Sequence, residues 1–437
     1  MEAITGKIDF DPNDLKIVQD RFHKLILERA RVIPEYMAMK DKELPILTNE
    51  TGRSEVRHHW YPVPGMYGGF KYWLIEFNGK PILITESWCR VAEGSEQKHL
   101  IMENMCVPVD FDFRKNDNGR LYRAMGCFMG QCVGDALGQM VEFSTKGSIL
   151  SEYPDGVRDM ANGGAWNTLA GQPTDDTEMA LMLARSLVKE RKFDVDKVYE
   201  AYQFWLKSAP FDCGRATTMG LTGRPDHESQ ANGSMMRISP LGIFGSKFEL
   251  DTVAEWAMQD SRLTHPNIVC QKAVAIYVTT IAEAIATGIK KDKLYENALE
   301  RAKSELYYEK SVYETLQKAA DSLPKDFMHQ YGWVLIAFQN AFYRLLHCKS
   351  AEQAIVKTVN AGGDTDTNGA ICGALMGAVY GLGSIPERWQ NMILNCRASK
   401  DNPDCVHPRP ECFWATDILE LTELMFFNEL KTIGMPY

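Results

Sequence analysis

Two stretches of the chain gather carboxylates and hydroxyls at the threshold of apolar runs. Residues 172–183 read QPTDDTEMALML, with Thr174, Asp175 and Asp176 ahead of a periodic apolar segment. Residues 359–375 read VNAGGDTDTNGAICGAL, with Asp364, Asp366 and Thr367 in the same place. Helix capping accounts for part of this pattern. A Thr or Asp at the N-cap satisfies free backbone N–H groups and acids in the first turn favour the helix dipole, together about 1–2 kcal/mol. Capping needs only one acceptor, whereas each stretch supplies two carboxylates and neighbouring hydroxyls. That all-oxygen set suits a hard cation such as Mg²⁺, and Mn²⁺ accepts the same ligands. If the two helix starts converge, four carboxylates share a pocket. Their repulsion then needs protons, or a pair of divalent ions about 3.5–4 Å apart, to relieve it. Spacing alone does not establish the convergence, so capping and metal binding both stand at this point.

Further candidates sit on glycine-containing turns. GDALGQMVEF carries Asp135 and, two helical turns on along the same face, Glu142. PFDCGRATT places Asp212 in a Pro- and Gly-flanked loop. QANGSMMRISPLG offers backbone N–H groups around Asn232, Gly233 and Ser234, a small-residue turn that can hold a phosphate. LTHPN puts His265 before a helix start. Each also has a plain structural reading as an internal acceptor, a turn residue or a core histidine.

The remaining composition sets bounds. The chain has 437 residues, 45% hydrophobic and 24% charged, enough for two or three domains or for one large domain with an accessory one. A formal charge of −10 opposes generic binding to nucleic acid or to an anionic membrane. The start, MEAITGKIDFDPND, lacks the pattern of a secretory signal. The most membrane-like stretch, residues 370–385, is broken by Gly373, Gly377, Gly381 and Gly383 and falls short of the roughly 20 residues that span a bilayer. It reads as a buried helix. Eleven cysteines without a C-x-x-C pair point to reduced thiols and a cytoplasmic location. Cys396, Cys405, His407 and Cys412 match no standard zinc spacing.

The elements that must position these residues divide in two. Leu15, Val18, Phe22, Leu25 and Ile26 predict an opening amphipathic helix that ends before Pro34. Residues 60–70 read as an irregular aromatic loop, and KYWLIEF and KPILITESW as strands joined through Asn78-Gly79, a hairpin signal. A polar stretch at 112–119 marks a boundary, giving a small α+β segment over 1–115 and a helical domain over 116–437. Helical periodicity predicts helices over 121–142, 177–192, 196–208, 250–260, 267–288, 311–321, 331–347, 351–359, 368–382 and 412–430. Gly126, Gly130, Gly134 and Gly138 recur every four residues, as do Gly369, Gly373, Gly377 and Gly381. Glycine inside a helix costs about 1 kcal/mol relative to alanine, so two such ridges imply close backbone packing, possible against each other.

Taken in order, GDALGQMVEF, PTDDTEMAL, PFDCGRATT, ANGSMMR, LTHPN and AGGDTDTNGAICGAL resemble the ADP-ribosylglycohydrolase family over roughly residues 120–385. The resemblance implies a mainly α protein, an all-helical catalytic domain holding two Mg²⁺ ions between helix ends, and hydrolysis of the bond joining ADP-ribose to a protein side chain. It maps the metal ligands onto Thr174, Asp175, Asp176, Asp364, Asp366 and Thr367. Proton handling falls to Asp212 and Glu142, and contacts to ADP-ribose to Asn232, Gly233, Ser234 and His265. PFDCG resembles the arginine-directed branch. Residues 1–115 resemble the extension of bacterial immunity proteins against ADP-ribosyltransferase toxins. Trp60, Tyr61, Met66, Tyr67 and Phe70 are then candidate toxin contacts, since aromatics and Met anchor interfaces; the alternative is that they pack the extension onto the enzyme domain. Two other functions remain open at this stage: a non-catalytic toxin-binding inhibitor, and a metal-dependent hydrolase of small ADP-ribose derivatives.

Overall fold

The computed structural model describes residues 117–426 and four strand segments between Val56 and Pro108. The expected opening helix, and Trp60 and Tyr61, lie outside the described residues.

The chain divides into two compact units, Gly119–Phe427 and the remainder. In the smaller unit, β1 (Val56–His59), β2 (Met66–Phe77), β3 (Lys80–Val91) and β4 (His99–Pro108) form an antiparallel sheet in chain order. Phe77 faces Lys80, which leaves two residues, 78 and 79, to join β2 to β3. Residues 66–70, read above as part of a loop, begin β2 instead, so Met66, Tyr67 and Phe70 are strand positions. Glycines and aromatics suggested a turn there, but pairing with β3 extends along the whole segment.

The larger unit is helical, with no strand beyond isolated bridges among its described residues. In chain order its helices are α1 (Asp117–Gly138), α2 (Lys146–Glu152), α3 (Asp175–Glu190), α4 (Val195–Lys207), α5 (Arg215–Leu221), α6 (Ser239–Gly245), α7 (Leu250–Arg262) and α8 (Ile268–Thr287). They continue with α9 (Lys291–Arg301), α10 (Lys310–Lys318), α11 (Val334–His347), α12 (Ala351–Val359), α13 (Thr365–Tyr380), α14 (Glu387–Asn395) and α15 (Ile418–Phe426). Periodicity missed α2, α5, α6, α9 and α14. The first three have seven residues each, too short for a period to show. In α9 and α14 the buried face is only Leu294, Tyr295 and Ala298, or Trp389 and Ile393. The segment read as helical from 412 opens with two 3-10 turns before α15.

The centre of this unit is the pairing of α1 with α13. A Cβ added at Gly126, Gly130 or Gly134 would overlap the carbonyl of Gly377, Gly373 or Gly369 respectively, and the reverse additions overlap the facing glycines of α1. The helices are therefore antiparallel and in backbone contact, which only glycine permits. The ridge ends functionally: Gly138 lies against the backbone of Asp366, and Thr365 Oγ1 donates to Gly138 O at 2.7 Å. Around this pair, α8 is the one helix among the described residues long and apolar enough to cross a membrane, and 83% of its most apolar window is buried within the fold.

Candidate active site

The starts of α3 and α13 meet. Thr367 Oγ1, on the first turn of α13, donates to Asp176 Oδ2 on α3 at 3.2 Å. Asp135 of α1 organises the α3 start, accepting from Thr174 N at 3.1 Å, Thr174 Oγ1 at 3.0 Å and Thr177 N at 3.1 Å. Thr174 is the N-cap of α3 yet makes no side-chain cap bond of its own; Asp135 does that work from another helix. With the capping served, the acids of the first turn are left for another role.

The α13 start is built by a glycine pair. Gly362 and Gly363 have φ of 85° and 82°, a left-handed turn closed to most side chains, and they deliver Asp364 to the N-cap. The same turn is tied to the segment after Glu142, through Phe143 N to Gly363 O at 2.8 Å and Gly363 N to Ser144 O at 3.0 Å. Glu142, Asp364 and Asp366 consequently offer carboxylate oxygens all within 4.8 Å of one another. Glu142 thus stands as a potential metal ligand in addition to the proton-handling role expected above. Its Oε2 accepts from Trp166 Nε1 at 2.6 Å, and Asp364 Oδ2 accepts from Asn232 Nδ2 at 2.7 Å.

Electrostatics follow from crowding anions in low dielectric. Burial, then the charges of Asp364 and Asp212, push Glu142 up to about 9. Burial and Asp175 push Asp212 up to about 9, and burial and Asp135 push Asp175 up to about 7. Asp176 and Asp366 are raised well above the usual carboxylate range, again by burial first. Asp176 Oδ1 is buried without a hydrogen-bond partner. An orphaned carboxylate oxygen among desolvated acids and hydroxyls is the donor set of a hard cation, so these residues fit a metal.

A cavity of about 630 Å³ opens above the cluster. Glu142, Asp175, Asp212, Asp364, Asp366 and Thr367 face it, as do Asn232, Gly233 and His265. Thr174 and Asp176 lie beneath, fully buried. Ser234 is not on the wall: it is fully buried and its Oγ accepts from Ser261 Oγ at 3.0 Å. His265 is held neutral, its pKa lowered to about 3 by burial and by Arg237, and its Nδ1 pairs with Thr264 Oγ1 at 2.7 Å. Gly233 is small because of it; a Cβ there would sit 2.9 Å from the His265 ring.

Several cavity residues escaped sequence reasoning. Trp166 follows a glycine pair in a loop without helical or strand period. Phe143 and Tyr331 pack edge-to-face with centroids 5.2 Å apart and remain exposed at the mouth, Phe143 in the left-handed region at φ 62°. A bulky residue held there is a strained feature of the kind that collects at ligand sites. The Cys396, Cys405, His407 and Cys412 group holds free thiols and forms no metal-ligating cluster among the described residues.

Comparison with known proteins identifies relatives of the helical unit. A family model described as ADP-ribosylglycohydrolase matches residues 116–422. The ADP-ribosyl-[dinitrogen reductase] glycohydrolase of Rhodospirillum rubrum is 34% identical over 284 residues, covering 62% of this chain and 90% of the relative. The ADP-ribosylarginine hydrolase Tri1 of Pseudomonas putida is 27% identical over 292 residues, covering 62% of this chain and 74% of the relative. The ADP-ribosylhydrolase ARH3 of Homo sapiens is 26% identical over 323 residues, covering 62% and 88%. A solved structure of an ADP-ribosylglycohydrolase-related protein complex aligns with a TM-score of 0.57 at 29% identity, covering 70% of this chain and 98% of that one. The chain belongs to the ADP-ribosylglycohydrolase family and is a glycohydrolase.

Proposed function

We propose that this chain is a Mg²⁺-dependent hydrolase that removes ADP-ribose from arginine side chains of modified proteins, acting in the cytoplasm as an immunity protein against an ADP-ribosyltransferase toxin. The observation that carries the catalytic part is the meeting of two acidic helix starts under one cavity, tied by Thr367 and Asp176. Arginine linkage is supported by the PFDCG loop and by relatives named ADP-ribosylarginine hydrolase.

Thr174, Asp175, Asp176, Asp364, Asp366 and Thr367 would hold two ions, with Glu142 beside them. Bound Mg²⁺ supplies charge that polarises ribose oxygens and acidifies a water. The chain's own groups do the rest. Hydrolysis joins the water oxygen to the anomeric carbon and breaks the bond to the side-chain nitrogen. One proton leaves the water and one reaches the departing nitrogen. Asp212, on the cavity wall, is placed to take the proton from the water or to deliver one to the departing nitrogen. The surrounding carboxylates favour positive charge developing on the sugar. Neutral His265, Gly233 and Asn232 line the part of the cavity where the ADP-ribose would lie, and the exposed Phe143 and Tyr331 rings give a base a surface to stack on.

Residues 1–115 precede the family match, and we assign them the toxin contact on their resemblance to immunity extensions. A panel of proteins ADP-ribosylated on arginine or serine, together with small ADP-ribose derivatives, tests the enzymatic reading. Release from arginine above the others is expected; preference for small derivatives contradicts it. Full toxin affinity in a chain beginning at residue 116 would contradict the second part.

A further inference from the structure

The run DCVHPRPEC, which lies outside the acidic cluster, reaches that site through its neighbours. Arg409 is 7% exposed and forks onto Glu178 of α3, with Nε to Oε1 at 2.8 Å and Nη2 to Oε2 at 2.7 Å. Glu178 stands two residues after Asp176 on the same helix. The guanidinium also reaches the end of α4: Nη2 donates to Ser208 Oγ at 2.7 Å, and Nη1 to Ser208 O at 3.0 Å and Ala209 O at 3.4 Å. Ala209, at φ 53° in the left-handed region, starts the short loop that carries Asp212. An alanine held there needs outside support.

Two residues earlier, the His407 ring stacks on Phe211, the neighbour of Asp212, at 4.6 Å between centroids and 24° between planes. Phe211 in turn lies 6.1 Å from the Trp166 ring, whose Nε1 holds Glu142. The carbonyl of His407 accepts from Gln172 Nε2 at 2.7 Å, just ahead of Thr174. Pro408 and Pro410 flank Arg409 and fix its backbone on both sides. His407 and Arg409 therefore touch the approach to α3, its first turn, and the stretch of loop that leads into Asp212.

We propose that His407 and Arg409 are positioning residues for the reaction, a clamp that sets Asp212 and Glu142 against the metal-holding start of α3. The clamp rests on the reading of Asp212 as the proton-handling group. Its energetic logic is that of second-layer support: a displaced carboxylate about 1 Å off costs about 100-fold in rate without a new contact to substrate being lost.

His407 is the residue to vary, because it is half-buried on a surface segment, whereas Arg409 compensates a buried carboxylate. Steady-state release of ADP-ribose by the full chain at saturating Mg²⁺ is measured for His407→Ala, His407→Phe and Asp212→Ala. The clamp predicts that His407→Ala lowers kcat by about 10- to 100-fold with KM within about twofold, and that His407→Phe, which keeps a flat ring on Phe211, regains most of the loss. A His407→Ala variant with unchanged kcat per folded molecule, whatever its thermal midpoint, overturns the clamp, as does a kcat loss that Phe fails to restore. If His407→Ala does not fold, His407→Leu replaces it: kcat below that of His407→Phe supports the clamp, equal kcat overturns it. Asp212→Ala separates the two layers. Full activity there removes the proton-handling reading and the clamp with it, while an inactive Asp212→Ala beside a fully active His407→Ala removes the clamp alone.

Discussion

The Thr367 hydroxyl and Asp176 Oδ2 are 3.2 Å apart, across 191 residues of sequence. This bond makes two helix N-termini into one site. Thr367 contributes from α13, Asp176 from α3, and neither side chain serves as the N-cap of its own helix. Thr367→Val keeps the shape and removes the donor. It is expected to weaken Mg²⁺ binding by about 10- to 100-fold, through loss of a ligand hydroxyl together with its orienting bond to Asp176, while Thr367→Ser retains it. Titration calorimetry reads this directly, and unchanged affinity in the valine variant would show that the bond does not organise the site.

Metal and pH should be linked. Glu142 and Asp212 are raised to about 9 and Asp175 to about 7, chiefly by burial. A carboxyl whose folded pKa exceeds its unfolded value of about 4 binds protons more tightly when folded, so its stabilising contribution is full below about pH 4 and lost as pH rises through the folded pKa. The melting temperature of chelated protein is therefore expected to fall between about pH 5 and 9. Stabilisation by Mg²⁺ should grow over the same window, because ligands must shed protons to bind. A melting temperature independent of pH without metal would mean that the acids are not buried as the fold requires.

The paired glycine ridges leave no room for a side chain. Gly130→Val or Gly373→Val sets a Cβ against a backbone carbonyl, which no rotamer change relieves. The cost should exceed the roughly 1–3 kcal/mol of ordinary overpacking. Since a domain is stable by only about 5–15 kcal/mol, loss of soluble folded protein is expected. Circular dichroism of the purified variants checks it, and native-like melting in both would rule out the close approach.

These ridges were legible in the sequence because helix periodicity and the cost of glycine both act locally. The six metal-ligand candidates were legible as well, since each cluster is contiguous and departs from what capping requires. Their convergence was not, because it depends on Asp135 and on the Gly362-Gly363 turn, which act across the fold. Trp166 was invisible as a site residue, and His407 showed only as part of a Cys/His group without standard zinc spacing, because each touches the site through a neighbour distant in sequence, Glu142 in one case and Phe211 in the other. Short helices such as α5, which follows Asp212, fall below the length at which a period can be read.

Gly233 marks the substrate side of the cavity. In Gly233→Ala the new methyl meets the His265 ring at 2.9 Å and Thr217 Oγ1 at 3.1 Å. The ring must shift, so KM should rise by about 10-fold, with kcat less affected if the contact serves binding alone. Equal kinetics in the variant would place the substrate elsewhere in the cavity.

The most direct measurement compares release of ADP-ribose from an arginine-ADP-ribosylated protein by the intact chain and by Asp364→Ala combined with Asp366→Ala, each with and without Mg²⁺. The expected result is Mg²⁺-dependent release by the intact chain and none by a folded double variant. Metal-independent release, or release that survives loss of both aspartates, would contradict the assignment of the joined helix starts as the catalytic centre.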